Sequence, residues 1–203
     1  MKRMNYLDFT YPNPLDNIAL DEALLQLCEM QETQDEILRF WESNTYFAVL
    51  GRSRKIHADL KLDACRKSQV PIYRRSRGGG TVLQGPGCLN YALILRQDRC
   101  EQLAGITSAY RYVLANHAAQ LSRFLHQPVT VAGVSDLVVD KKKISGNAQY
   151  RKKRFLLIHG TFLCSFDLGK IASFLPIPAE QPNYRGNRMH GDFLRNLDMP
   201  CEP

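Results

Sequence analysis

The sequence predicts an α+β fold, a mixed β-sheet flanked by helices. Strand-sized apolar runs, such as Tyr91-Ala92-Leu93-Ile94-Leu95, stand beside stretches with helical spacing, such as Tyr110, Val113, Leu114, Leu121 and Leu125. No internal repeat and no Pro/Gly/Ser-rich linker divides the 203 residues. One domain over 1–203 is therefore expected, since about 100–200 residues suffice for a single buried core.

Taken in order, Asp16 reads as the N-cap of a first helix whose apolar face runs Ile18, Leu20, Leu24, Leu27. Residues 36–41 and 45–50 alternate and end at Gly51, the pattern of a hairpin. A helix over 58–68, a short strand over 71–75, a glycine loop and a buried strand over 89–95 follow. Residues 107–125 carry the long helix. Strands at 129–131, 137–139 and 155–166 complete the sheet, interrupted around Lys143. The tail, about 176–203, holds five of the ten prolines and is expected to wrap the surface irregularly.

Composition narrows the function classes. Hydrophobic residues make up 44% and charged residues 23%, which argues for a folded rather than a disordered chain. Neither a signal-peptide core nor a spanning segment is visible, so a cytoplasmic protein without a membrane role is expected. The six cysteines, at 28, 65, 88, 100, 164 and 201, form no C-x-x-C pair or His/Cys cluster, which predicts neither a disulfide framework nor a protein-built metal site. A net charge of +7 includes seven basic residues between Lys141 and Arg154. No nucleic-acid motif accompanies this ridge, and an acidic protein partner suits it better.

Two motifs carry chemistry. In Arg74-Arg75-Ser76-Arg77-Gly78-Gly79-Gly80-Thr81-Val82, glycines let backbone amides approach a ligand beside fixed positive charge, as an anion-holding loop requires. In Lys143-Ile144-Ser145-Gly146-Asn147-Ala148-Gln149, a mobile ammonium precedes small residues. His159-Gly160-Thr161 interrupts an apolar strand, and Asp136 opens another. Alone, these read as a core histidine with a bulge glycine and as a turn residue. His57, His117 and His126 have no evident role.

The order strand, Arg-Arg-x-x-Gly-Gly-Gly-x-Val, strand, long helix, Asp-Leu, Lys-Ile-Ser-Gly-Asn-Ala-Gln, strand with His-Gly-Thr resembles the lipoate–protein ligase A catalytic domain. It runs from Leu15-Asp16-Asn17-Ile18 to Gln181-Pro182-Asn183-Tyr184, and on to His190-Gly191-Asp192-Phe193. That domain belongs to the biotin/lipoate ligase and octanoyltransferase superfamily, related in fold to the class II aminoacyl-tRNA synthetase core. The resemblance implies a two-step reaction with ATP, Mg2+ and lipoate: lipoyl-adenylate forms, then the acyl group passes to a lysine of an acidic lipoyl-domain protein. It implies Lys143 as the catalytic residue. Arg74, Arg75, Gly78, Gly79, Gly80, Lys143 and Asn147 would hold the adenylate. Gly79, Val82, Gly146, Ala148, His159 and Gly160 would line the lipoyl pocket, Gly160 by opening room for the chain, with Asp136 orienting Lys143.

The sequence departs from the family pattern in three places. Gln84 and Cys88 stand where ligases show His and Asn in His-Asp-x-Gly-Asn, and Arg77 stands where Ser or Thr is usual. The accessory C-terminal domain of lipoate ligase A has no counterpart in the sequence, which implies a separate accessory protein for activation. Two alternatives remain: an octanoyl or lipoyl transferase acting from an acyl carrier protein, and a non-catalytic lipoate-binding module. The cysteine positions of octanoyltransferases fall here at Val134 and its neighbours and at Leu156, so Cys88 is the one thiol near the loop, read otherwise as a small core residue.

Overall fold

A computed structural model describes residues 4–33 and 35–197; the end of the proline-rich tail, 198–203, and residues 1–3 lie outside them. Seven strands form one sheet: β1 (Met4–Asp8), β2 (Glu36–Trp41), β6 (Cys88–Arg96), β7 (Thr130–Ala132), β8 (Asp136–Val139), β9 (Lys142–Arg151) and β10 (Phe155–Leu163). Their order is β1-β2-β6-β10-β9-β8-β7. The β1–β2 pair is parallel and the other neighbours are antiparallel, so the sheet is mixed. A three-stranded sheet, β4-β3-β5, is built from β3 (Phe47–Leu50), β4 (Ile72–Arg74) and β5 (Val82–Gln84).

Helices cover both faces of the large sheet, which is why its central strands read as unbroken apolar runs rather than alternating ones. Successive side chains point to opposite sides. Tyr91, Leu93, Leu95, Leu156 and Ile158 pack towards α4 (Ile106–Leu125) with Ala109 and Val113. Ala92, Ile94, Phe155 and Leu157 pack against Leu25 and Cys28 of α1 (Pro14–Glu29). The small sheet is backed by α3 (Leu62–Lys67) and α5 (Leu168–Phe174) through Cys65, Ile171 and Phe174, while α2 (Ile56–Asp59) and α6 (His190–Phe193) are single turns. Among the described residues no helix is long and apolar enough to cross a membrane.

Several local expectations are corrected. The N-cap of α1 is Asn13, whose side chain accepts from Leu15 N, with Pro14 pre-set at the first helical position; Asp16 sits in the first turn. The buried face of α1 is Pro14, Asn17, Asp21, Leu25 and Cys28, and Leu27 is 44% exposed. Its polar members exist for Arg39 on β2, which is fully buried. Arg39 donates to Asp21 Oδ1 at 2.6 Å, to Asn17 Oδ1 at 2.6 Å, and to the carbonyls of Asn17 and Phe9. A guanidinium removed from water has to be answered in this way, and apolar periodicity does not register it.

Strands β2 and β3 do not form a hairpin. The chain leaves the large sheet after Trp41 and enters the small one at Phe47, since β2 pairs with β1 and β6 whereas β3 pairs with β4 and β5. The helix expected over 58–68 is two short helices, α2 and α3. Lys143 does not interrupt the sheet but lies inside β9, the longest strand. Between 176 and 197 the tail is a 3-10 turn (Asn183–Arg185), then α6, and Leu194 bridges Lys143.

Candidate active site

The large sheet supplies the floor of a cleft of about 640 Å³. Register places Trp41, Asn90, Thr161, Gly146 and Asp136 side by side, one per strand. Two residues further along lie Arg39, Ala92, His159 and Ala148, on the same α1-facing side. The small sheet stands above. Phe47, Val49 and Val82 make an apolar wall with Trp41 and Ile18, and Gln84 Nε2 reaches down to Thr161 Oγ1 at 2.7 Å. Thr161 in turn donates to Asn90 Oδ1 at 2.7 Å.

At one side of the floor, Lys143 Nζ sits 2.8 Å from Asp136 Oδ1, and Tyr184 of the tail donates to Asp136 Oδ2 at 2.7 Å. This carboxylate therefore holds Lys143 on one oxygen and the tail on the other. Gly146 makes the room: a Cβ there would stand 2.7 Å from Lys143 Nζ. Asn147 is held by Tyr91 OH at 2.8 Å and by its own Nδ2 on the Ser135 carbonyl at 2.7 Å. A Cβ on Gly160 would come within 1.8 Å of Asn147 Oδ1 and 2.8 Å of Tyr91, so both side chains lie close against Gly160.

The glycine loop closes the opposite side. Gly79 has φ +103°, and a Cβ on it would meet Arg75 Nη2 at 2.4 Å, so both backbone and neighbour require glycine there. Open space lies where Cβ atoms on Gly78 and Gly80 would be. Arg75 donates to the carbonyls of Gly78 at 3.0 Å and Gly80 at 2.9 Å, which stiffens the loop. Burial, and then the like charge of Arg77, pull its pKa down to about 10. Burial, with Arg77 and Arg75 close by, holds His159 well below the usual imidazole range.

The cleft thus brings together Arg75, Gly79, Gly80, Val82, Asp136, Lys143, Gly146, Asn147, Ala148, His159 and Gly160. Arg74 and Gly78 are not in its lining. Arg74 Nη1 is spent on the carbonyls of Gly51, Arg52 and Arg54. Tyr184, Trp41, Phe47 and Gly51 escaped sequence reasoning. Gly51 touches the loop so closely that a Cβ would fall 2.0 Å from the Gly79 carbonyl oxygen. Of these, only Gly51 carried a signal, as a glycine at a strand end.

Cys88 is fully buried, and burial pushes its thiol far above the usual range. It sits in the core beneath the small sheet with Leu83, Leu163 and Phe166, and no cysteine among the described residues lines the cleft. No group of three or more carboxylates, histidines or cysteines able to hold a metal occurs among them either.

Comparison with known proteins places the chain among lipoyl ligases and octanoyltransferases. A family model described as the lipoyl protein ligase A/B catalytic domain matches residues 13–199. A probable lipoate-protein ligase A from Mycoplasma genitalium is 33% identical over 165 residues, 81% of this chain and 47% of that protein. The octanoyltransferase LipM of Halalkalibacterium halodurans is 25% identical over 230 residues, covering 100% of this chain and 83% of its own. The chain spans about half the length of the curated ligases it matches. In structure, it superposes on the bi-partite lipoate protein ligase of Thermoplasma acidophilum with a TM-score of 0.79 at 23% identity, covering 97% of this chain and 75% of that one. On a lipoate-protein ligase A bound with ATP the TM-score is 0.76 at 25% identity, covering 97% and 76%. With the family model matching residues 13–199 of 203, the chain belongs to the lipoyl protein ligase A/B catalytic-domain family.

Proposed function

We propose that this chain is a lipoate–protein ligase-type enzyme that activates lipoate with ATP, transfers the lipoyl group to a lysine of a lipoyl-domain protein, or does both. The observation that carries this reading is the placement of Lys143, held by Asp136 across from Gly79 and Gly80, in a cleft that no cysteine among the described residues lines. In the first step a carboxylate oxygen of lipoate attacks the α-phosphorus and pyrophosphate leaves. In the second a lysine amine attacks the acyl carbon and AMP leaves. Both concentrate negative charge on the oxygens shared by acyl group and phosphate. Lys143 and the backbone amides of the glycine loop supply the complementary donors, and Arg75 keeps the loop in shape.

Among solved relatives, one lipoate-protein ligase A is bound with ATP and a Thermoplasma protein 26% identical to this chain holds lipoic acid, which supports both substrates here. The T. acidophilum ligase is described with its E2 lipoyl domain, which supports such an acceptor. The cleft carboxylates Asp21, Asp59, Asp136 and Glu180 are each engaged in an ion pair, and among the described residues no group of three or more metal-ligating side chains occurs. The ion would enter on the nucleotide's phosphates.

The second reading, a LipM-type octanoyltransferase, draws on relatives that match more of their own length. Transfer through a protein thioester needs an accessible thiolate, and the burial of Cys88 argues against it. Intact-mass measurement of an apo lipoyl domain separates the readings with three donors: lipoate with ATP and Mg2+, preformed lipoyl-adenylate, and octanoyl carrier protein. A mass shift with the first two supports the ligase. A shift with only the third overturns it. A shift with the adenylate alone assigns activation to a separate protein.

A further inference from the structure

The cleft contains more buried polar capacity than the protein itself uses. Arg77 is 2% exposed and lines the cleft, yet its Nε and Nη1 have no hydrogen-bond partner among the described residues. Gln84 Oε1 and His159 Nε2, in the same cleft, are likewise without partners. Around them the walls are apolar, from Trp41, Phe47 and Val49. Polar groups sealed away from water without partners are costly, and charged ones are the costliest, so three in one chamber point to a ligand that completes them.

The charges narrow what that ligand is. Arg77 is drawn to Asp21 and Glu22, but Asp21 already accepts from Arg39 at 2.6 Å and Glu22 from the Ser76 hydroxyl at 2.6 Å. Arg75 adds a second buried positive charge nearby. Positive charge is therefore in surplus, and hydrogen-bond donors outnumber acceptors. Position matters as well. Arg77 interacts with Tyr150, whereas Lys143 occupies the space over Gly146. Four residues of β9 separate these points, about 13 Å at strand rise. Arg77 thus stands apart from Lys143 in the cleft, further along β9.

We propose that Arg77, with His159, is the specificity-determining group of the acyl cleft away from Lys143, selecting carboxylic acids whose chains end in a hydrogen-bond acceptor over those ending in a bare alkyl group. This rests on the acyl-binding reading above. A cyclic disulfide presents sulfur lone pairs, and a terminal carboxylate presents stronger acceptors. A terminal methyl presents nothing and would shut the guanidinium off from water without replacing what it loses. Sites built to hydrogen-bond a substrate discriminate strongly against the analogue that lacks the group.

Calorimetry on the full chain with three free acids, octanoate, lipoate and octanedioate, tests this. Both acceptor-ended acids should bind the unaltered protein about tenfold or more tighter than octanoate, and Arg77→Ser should remove most of that advantage. Arg77→Lys, which keeps charge but loses the planar fork, should retain only part of it. Either acceptor-ended acid falling level with octanoate, or a preference unchanged in Arg77→Ser, overturns the proposal and leaves the acyl reading standing. Binding of none of the three overturns both. If thermal melting shows that Arg77→Ser does not fold, the unaltered protein and Arg77→Lys decide.

Discussion

Gly146 and Gly160 look alike in the sequence, as glycines on neighbouring strands beside the cleft, yet they leave room for different things. The atom nearest a Cβ at 146 is the flexible end of Lys143, at 2.7 Å, which can swing away. Gly146→Ala should therefore keep its stability to within about 1 kcal/mol while transfer falls, because Lys143 is pushed off Asp136. Lys143→Ala should lower transfer by about a hundredfold to a thousandfold, as expected for loss of one preorganised donor. Lys142→Ala, one residue away on the strand, should be near normal. At 160 the obstacle is Asn147 Oδ1 at 1.8 Å, fixed by Tyr91 and the Ser135 carbonyl. Gly160→Ala should cost about 1–3 kcal/mol, visible as a lower melting temperature. If 146 proved the stability position and 160 the neutral one, this account of the two glycines would be wrong. Their residue types and their nearness to the site were legible. What each accommodates was not, since it depends on strand register.

The strand β9 does the same to the basic ridge. Its seven charges fall in two groups, 141–143 and 151–154, and the seven residues of β9 between them hold Lys143 and Arg151 about 26 Å apart along the extended chain. Arg151 donates to the Leu103 carbonyl at 2.8 Å, to the Ala104 carbonyl at 2.9 Å and to Gln97, so it ties the sheet to the start of α4. Arg154 is bound to Glu29. Lys141 and Lys142 therefore lie at the Lys143 end, with Lys152 and Lys153 at the other. If an acidic acceptor must reach Lys143, steering belongs to the first pair. Reversing Lys141 and Lys142 to glutamate should raise the KM for the lipoyl domain and flatten its salt dependence, whereas reversing Lys152 and Lys153 should do neither. Steady-state kinetics at two ionic strengths check this, and the opposite ranking would put the acceptor at the far turn.

Over the whole molecule, three histidines, His190 buried and His117 and His159 half-buried, shape the response to acid. Burial lowers the pKa of His117 from 6.5 to about 4, and His159 and His190 are lowered too. Groups that bind protons less readily folded than unfolded add stability above their unfolded pKa and lose it as pH falls below about 6.5. His117 alone should account for about 2 kcal/mol between pH 7 and pH 5. It packs edge-on to Tyr91 at 4.9 Å, with no partner for Nδ1 among the described residues, so phenylalanine fits its surroundings. His117→Phe should lower the slope of melting temperature against pH across that window. An unchanged slope would mean that His117 is not held neutral.

The sequence by itself determined the fold class, the long helix, the central strands and the two motifs that meet in the cleft, because period, glycine and fixed charge are local properties of the chain. Tertiary structure alone decided the rest. The split of residues 36–50 between two sheets, the buried Arg39 answered by Asp21, and Tyr184 returning from the tail to Asp136 all join residues far apart in the chain. The same holds for the purpose of each glycine and for the division of the ridge. These features follow from strand register and from the need of every buried polar group for a partner, and neither is written in neighbouring residues.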